Sequence, residues 1–269
     1  TLDLGGFDTS KVTSMNSMFV SNTNLVNLNI KNFDTAKVTN MFHMFMYCKS
    51  VESLDLRNFN TSKVTTMDGM FAYCLSLLSI NLSSFDTSNV TSMSWMFNNC
   101  RNLKELDITN FNTSKVTNMN AIFARCKSLV ALDLSNFNTS KLTTMNSMFS
   151  MWDEDDSYDS SGSLKKLDLS SFDTSKVTNM NSMFAFSTSL EEINLSSFDT
   201  SNVTNMYQMF NRCDSLVKLN FNKANFNKVT DYDEMFFNQP STLNIIVKDT
   251  TAKTWLEARL EGKGTVTIG

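Results

Sequence analysis

The sequence predicts an α/β repeat solenoid of nine units, and three observations support this. The dipeptide Phe-Asp or Phe-Asn followed by Thr recurs every 26 residues, one step of 35 residues interrupts the series, and each unit contains a strand period followed by a helical period. Repetition at a fixed period of roughly 20 to 50 residues is typical of solenoids, whose units bury their apolar sides only against their neighbours. The repeated phenylalanines are Phe7, Phe33, Phe59, Phe85, Phe111, Phe137, Phe172 and Phe198, and Ala224 occupies the ninth position.

The strand of each unit is visible in residues 131–135. Leu132 and Leu134 alternate with Ala131, Asp133 and Ser135, which is the period of two expected for a strand with one buried face. Nine such strands at about 4.8 Å spacing would form a parallel sheet on the order of 40 Å across. We expect this sheet to line the concave side of the solenoid.

A polar turn and a short helix follow the strand. Residues 138–141 read Asn-Thr-Ser-Lys, and these side chains favour turns because they bond to nearby backbone groups. Met145, Met148 and Phe149 then have the i, i+3, i+4 spacing of one helical face, with Thr143 at the N-cap position. We therefore expect a helix of about two turns on the convex side, stabilised by stacking on the next unit.

The step of 35 residues contains an acidic insertion at 150–163. Five carboxylates fall between Asp153 and Asp159, and the spacing of an EF-hand loop is absent. Three interpretations remain open: a solvated acidic loop, a partner contact and a calcium site, although we assign no metal. The candidate contact residues of this loop are Trp152, Asp153, Asp155, Asp156 and Tyr158.

The repeat pattern stops near Pro240. Residues 243–248, 252–260 and 265–268 read as strand, amphipathic helix and strand, so we expect residues 1–239 to form the solenoid and residues 240–269 its C-terminal cap. Thr1 already lies within a repeat, which leads us to expect that the chain was cut from a longer protein.

The repeat also carries a family resemblance. The frame Cys126-x-x-Leu129-x-x-Leu132-x-Leu134-x-x-Phe137, closing on Met148-Phe149, resembles the BspA-like leucine-rich repeats of bacterial surface proteins. The sequence pattern F-D-T-S-K-V-T-x-M-x-x-M-F is similar to a repeat abundant in surface proteins of listeriae, lactobacilli, enterococci and mycoplasmas. The resemblance covers about residues 1–239, and it implies a leucine-rich-repeat fold, display on the bacterial cell surface and adhesion, with no catalytic residues.

Composition excludes several functional classes. The net charge is −4 with both signs interspersed, which disfavours nucleic acid as a partner, and no apolar run of membrane-spanning length exists. His43 is the single histidine, and no glycine-rich phosphate loop is present. We therefore expect neither an enzyme nor a cofactor. The eighteen methionines and the column Cys48, Cys74, Cys100, Cys126 and Cys213 are interpreted as core, with Trp152 and Ser187 in the two remaining positions of the cysteine column.

The candidate binding surface is the outward column of the predicted sheet. It combines repeated Asp and Asn with flanking residues that differ between units, and the alternative is a solubilising ladder without a ligand. The candidates are Asp55, Glu105, Asp107, Asp133, Lys166, Asp168 and Glu192. A second column, which runs from Thr9 to Thr200, allows an ice-binding surface as a minor alternative.

Together these features predict a non-enzymatic recognition or adhesion module. Its expected ligand is a protein or glycoprotein of the host or extracellular matrix, its expected location is the bacterial cell surface, and we expect it to be a monomer. The competing interpretation is a structural stalk that has no ligand of its own.

Overall fold

Nine coils stack in parallel, and each coil is formed by one sequence repeat. The computed structural model describes residues 1–152 and 162–269. Parallel bridges join equivalent residues of successive coils, from Ser14 to Asn40 and onward to Asp231. The described chain is therefore a parallel β-solenoid of nine coils with one helix. Its elements are β1 (Leu2–Asp3), β2 (Leu28–Asn29), β3 (Ser53–Leu54), β4 (Ser79–Ile80), β5 (Lys166–Asp168), β6 (Glu192–Asn194), β7 (Lys218–Phe221), β8 (Asn244–Val247), α1 (Thr250–Leu260) and β9 (Thr265–Ile268).

The strands are shorter and less continuous than the sequence predicts. β1 pairs with β2, β3 pairs with β4, and β5 to β9 form a five-stranded parallel sheet. The register is one repeat, so that Lys166 lies beside Glu192 and Glu192 beside Lys218. Within the described residues, the units at Leu106 and Leu132 contain no assigned strand. The nine-stranded sheet is thus replaced by three separate sheets.

The predicted short helices are wrong, because the backbone after each bridge bonds to the next coil. The amide N–H groups of Met145, Ser147 and Phe149 donate to carbonyls of the following coil at 2.9, 2.9 and 2.8 Å. Ser147 has a left-handed φ of 55°, which an α-helix does not contain. The spacing of Met145, Met148 and Phe149 is a property of this turn, since all three side chains are buried.

Columns of identical side chains fill the core. Phenylalanine rings of successive coils stack along the axis, with centroids 5.8 Å apart between Phe45 and Phe71 and 5.6 Å apart between Phe71 and Phe97. The methionine columns pack beside them, apart from Met18, which is exposed. The prediction that most of the methionines form core is confirmed.

The cysteine column is buried, as predicted, and all five thiols are free. Each Sγ donates to a phenylalanine carbonyl of the preceding coil, as Cys126 does to Phe97 at 3.2 Å, and burial raises the pKa of the Cys126 thiol to about 12. Ser187 takes the same position, with its hydroxyl 2.9 Å from the Phe149 carbonyl. Trp152 does not fill this column, because its side chain is exposed.

A buried threonine ladder ties the coils together. The Thr113 hydroxyl donates to the carbonyl of Asn138 at 3.0 Å and accepts from the amide N–H of the same residue at 2.8 Å. Equivalent pairs of bonds begin at Thr9, Thr35, Thr61, Thr87, Thr139 and Thr200, and Thr174 makes the bond to the carbonyl of the next coil, that of Asp199. These side chains are buried, so the threonine column has no exposed hydroxyls to present to ice.

The last 30 residues close the C-terminal end of the stack. β8 and β9 extend the sheet, and α1 lies between them, capped by Asp249, whose side chain accepts from the N–H of Ala252. Leu256 is buried, and the Trp255 ring stacks on Phe226 with centroids 4.4 Å apart. The helix therefore covers apolar surface that the final coil would otherwise expose.

Candidate functional site

The aspartates of the predicted binding column accept hydrogen bonds from backbone turns that follow them. Asp107 accepts from the N–H and hydroxyl of Thr109 at 3.1 and 2.7 Å, and Asp133 accepts from the N–H of Ser135 at 2.9 Å. Asp168 makes the same bond to Ser170. The hydroxyl and N–H bonds from Thr109 hold the pKa of Asp107 below its usual range. These carboxylates shape the turn that follows each of these positions.

Several of the remaining candidate binding residues form ion pairs. Arg57 binds Asp55 through two of its nitrogens and lowers the pKa of Asp55 to about 2. Lys166 and Glu192, on adjacent coils, form a 2.7 Å ion pair with each other. Glu105 is exposed. The structure thus places these residues on one face but joins most of them to close partners of their own.

The acidic insertion falls largely outside the described residues. This applies to the candidate contacts Asp153, Asp155, Asp156 and Tyr158. Trp152 is described, and it belongs to a different feature, a groove across the left-handed turns of five coils.

One left-handed turn position, which recurs in most coils, contributes four residues to this aromatic groove. Tyr47, Tyr73, Asn99 and Arg125 occupy that position, with φ between 59° and 60°. The N–H of each donates to the next coil, as Tyr73 does to Asn98 at 2.7 Å, which fixes the backbone. At about 4.8 Å per coil, the groove runs about 19 Å along the solenoid from Tyr47 to Trp152.

Four aromatic rings line the groove. The rings of Tyr47 and Tyr73 stack with centroids 4.5 Å apart. Trp95 and Trp152 are 43% and 46% exposed, which is unusual for such large apolar side chains. Two of the three tryptophans of the chain therefore lie half-exposed in one place.

Cationic side chains accompany these rings. The Lys49 ammonium lies 5.9 Å from the centroid of the Tyr47 ring. Arg125 donates from Nε to the carbonyl of Trp152 and from Nη1 to the Tyr73 hydroxyl at 3.2 Å. Arg101 also lines the groove, with Nε 2.7 Å from Oδ1 of Asn99. Lys49, Arg101 and Arg125 are thus the charged residues of the described lining.

One buried amide oxygen in the groove has no hydrogen-bond partner among the described residues. Asn98 lines the groove and is 4% exposed. Its side-chain oxygen Oδ1 accepts no hydrogen bond from any described residue. A buried polar atom without a partner costs about 1 to 3 kcal/mol, and Oδ1 of Asn211, at the equivalent repeat position outside the groove, is in the same situation.

The groove is suited to binding. Its volume is about 540 Å³, within the range of ligand sites in proteins. Its described lining contains neither a histidine nor a carboxylate that would transfer protons. His43 lies outside the lining and stacks on Phe42, and burial lowers its pKa. The described ranges contain no cluster of three metal-ligating residues.

The groove lies away from the strand face, where the sequence placed the candidate site, and so it was missed. A signal was available in the residue before each cysteine, which is Tyr47, Tyr73, Asn99 and Arg125 in successive units. A column that varies in this way beside an invariant core column is not fixed by the core, and two adjacent tyrosines indicate an aromatic surface, although Asn99 itself is buried.

Fold and groove define a repeat solenoid with an aromatic recess among its described residues. The chain belongs to the family described as "Mycoplasma protein of unknown function, DUF285", whose model matches residues 1–80, 76–160 and 155–249. No curated protein and no solved structure matches the chain. In the described part of the chain, no helix is both long and apolar enough to cross a membrane.

Proposed function

We propose that this chain is a non-catalytic recognition module and that its ligand binds in the aromatic groove. The observation that carries the proposal is the half-exposure of Trp95 and Trp152 beside Lys49 and Arg125. Exposed tryptophan and arginine residues are enriched where proteins make their strongest contacts. The rigid coil backbone holds these side chains in position, which reduces the entropy lost on binding.

The resemblance of the repeat to BspA-like surface proteins supports an adhesive role for this module. In this proposal the protein is displayed outside a bacterial cell as a monomer, and it binds host or matrix glycoproteins. The exposed face at Glu105 is a secondary contact, because most of the other candidates already have close partners, as Lys166 and Glu192 have in each other.

A structural stalk is the second candidate, and the threonine ladder favours it. The same two bonds recur between most neighbouring coils, as at Thr113 and Asn138, which suits a spacer of interchangeable units. A spacer does not require a single recess with two half-exposed tryptophans, so recognition is the better supported function.

The test compares the wild-type chain with Trp95→Ala in binding to a panel of matrix proteins, mucins and epithelial glycoproteins. Ala121 occupies the same left-handed position in the next coil, so alanine is compatible with this backbone. Gln208→Ala is the matched control, since Gln208 has the same position two coils beyond the groove.

We expect saturable binding to at least one member of the panel. Trp95→Ala should weaken it at least tenfold, and Gln208→Ala should change it less than twofold. Binding that is unaffected by Trp95→Ala would assign recognition to another face. Failure of the folded chain to bind any member would favour the stalk.

A further inference from the structure

We infer that the ligand of the aromatic groove is an uncharged glycan, a linear chain of pyranose rings that stacks one ring on Trp95 and another on Trp152. The inference rests on the proposed function and specifies the chemistry of its ligand. Three observations carry it: two indole rings without stacking partners, the spacing between them, and hydroxyl groups in the same groove.

Trp95 and Trp152 differ from Trp255, the third tryptophan of the chain, in the contacts of their rings. The Trp255 ring stacks on Phe226 with centroids 4.4 Å apart, and the Arg259 guanidinium lies 3.7 Å from its centroid. Among the described residues, neither Trp95 nor Trp152 has a ring or a cation in such a contact, and neither indole N–H donates a hydrogen bond. Both side chains are half-exposed, so their rings are accessible to a ligand.

The faces of these indoles match the faces of sugar rings. A pyranose whose hydroxyls are all equatorial, as in glucose and N-acetylglucosamine, presents C–H groups on both faces, and the negative face of an aromatic ring attracts them. Along the column of Trp95, the next two coils have only the small side chains of Ala121 and Ser147. In the preceding coil, by contrast, the ring of His43 already covers Gly69, where an added Cβ would meet it. Space for a ligand ring therefore remains on the side of Ala121 and Ser147.

The spacing of the two tryptophans suits a chain of sugars. Trp95 and Trp152 belong to coils two repeats apart, which corresponds to about 10 Å along the axis. An extended β-linked glycan advances by a similar length over two residues, so alternate sugars would meet the two indoles. The stacked pair of Tyr47 and Tyr73 continues the groove on the other side of Trp95. A linear chain therefore fits the groove better than a single sugar.

Hydroxyl groups of the lining match those of a sugar. The Ser147 hydroxyl donates to Oδ1 of Asn146 at 3.1 Å, which leaves its oxygen able to accept. Tyr47 contributes a phenolic hydroxyl, and the indole N–H groups are donors. Each sugar hydroxyl both donates and accepts, so it can pair with either kind of group. A peptide side chain that stacked equally well would offer at most one hydroxyl.

The arginines of the lining do not require an anionic ligand. Arg125 donates from Nε to the carbonyl of Trp152 and from Nη1 to the Tyr73 hydroxyl at 3.2 Å. Arg101 places its Nε 2.7 Å from Oδ1 of Asn99. These contacts hold the walls of the groove in position, and the ligand contacts are assigned to the aromatic rings.

The experiment measures binding of short sugars to the full chain by isothermal titration calorimetry. The probes are cellotetraose and chitotetraose, chains of four glucose or four N-acetylglucosamine rings, with the disaccharides cellobiose and chitobiose. A peptide of alternating glycine and tyrosine and a short oligothymidylate represent other ligands that stack on aromatic rings. Trp95→Ala and Trp152→Ala each remove one ring. Trp255→Phe is the matched control, because Trp255 lies on Phe226 in the cap and outside the groove lining.

We expect saturable binding of at least one tetrasaccharide, at least tenfold tighter than that of its disaccharide, because a disaccharide reaches only one indole. The same tetrasaccharide should bind at least tenfold more tightly than the peptide and the oligothymidylate. Trp95→Ala and Trp152→Ala should each lower its affinity to about that of the disaccharide, and Trp255→Phe should change it less than twofold. A normal unfolding midpoint establishes that each variant is folded.

No saturable binding of either tetrasaccharide, equal affinities for tetrasaccharide and disaccharide, or tighter binding of the peptide or the oligothymidylate would overturn this inference. Tetrasaccharide binding that survives Trp95→Ala unchanged would overturn it as well. If the sugars fail while a panel glycoprotein still binds and is weakened by Trp95→Ala, recognition by the groove stands and only the ligand class is wrong. If both experiments fail, the proposed function fails with it.

Discussion

Replacing Thr113 by valine would test whether the buried threonine ladder holds the coils together. Valine has nearly the same shape as threonine, so the substitution removes a hydroxyl without opening a cavity. That hydroxyl makes two hydrogen bonds to the backbone of Asn138, and Thr113 is only 1% exposed. Water therefore has little access to the N–H and carbonyl that the valine methyl would face.

The expected loss follows from these two unpaired groups. Each costs about 1 to 3 kcal/mol when water is excluded. Because Asn138 itself lies near the surface, the cost is reduced, and we expect a total of about 2 to 4 kcal/mol. Thr113→Ser keeps both bonds and loses one methyl group, which should cost about 1 kcal/mol.

The matched control is Thr117→Val, four residues away. Thr117 is exposed, and its hydroxyl makes a single bond of 3.2 Å to the carbonyl of Thr91, which water would replace. Its expected cost is below about 1 kcal/mol. Urea unfolding, followed by circular dichroism, gives all four free energies. Equal losses for Thr113→Val and Thr117→Val would refute the role assigned to the ladder.

Three further outcomes test other features of the fold. The folded-state pKa of Asp107 is lowered, so its ionised form stabilises the fold above about pH 4, and this contribution is lost as the pH falls. Asp107→Asn keeps the hydrogen-bond acceptor without the titratable group. In urea titrations from pH 7 to pH 2, this variant should therefore lose less stability on acidification than wild type. Gly264→Ala should cost clearly more than Gly262→Ala in thermal melts, because both have positive φ but only at Gly264 would Cβ approach a backbone carbonyl, that of Leu243 at 2.6 Å. All five thiols should resist a thiol reagent in the native protein and react on unfolding, since desolvation raises the pKa of thiols such as Cys126; rapid native labelling would contradict their burial.

The sequence predicts the solenoid and its core because burial repeats with the same period as the chain. Phe45, Met70 and Cys126 each belong to a column whose members are almost all buried, and a column of identical apolar residues is typical of stacked coils that share one core. The closing strand, helix and strand were visible as a break in that period.

The turn conformation was not predictable from spacing alone. An i, i+3, i+4 pattern at Met145, Met148 and Phe149 fits a helix as well as the observed turn, because both bring these side chains to one side. What distinguishes them is the left-handed backbone at Ser147, for which serine has no special preference. The inter-coil hydrogen bonds maintain it, and these bonds join residues that are 34 positions apart.

The groove was not predicted from the sequence for a related reason. Asp107 and Asp133 stand out in the sequence as repeated acids, but the bonds to Thr109 and Ser135 that occupy them become evident only with the backbone in place. The groove, in contrast, combines Tyr47 and Trp152, which are 105 positions apart and in different places in their units. These residues meet because of where each turn lies in space. An alignment of the repeats shows only which residues are equivalent, so it does not reveal this contact.

The left-handed turns also determine how such a protein changes during evolution. Their backbone is fixed by bonds between coils, so residues as different as Gly69, Trp95 and Ala121 occupy equivalent positions without altering the stack. Duplication or loss of one 26-residue unit would lengthen or shorten the aromatic groove by about 4.8 Å and leave its depth unchanged. The length of the groove would therefore change by one coil spacing for each repeat gained or lost within it. Its chemistry would be determined separately, by the side chains at the turn positions.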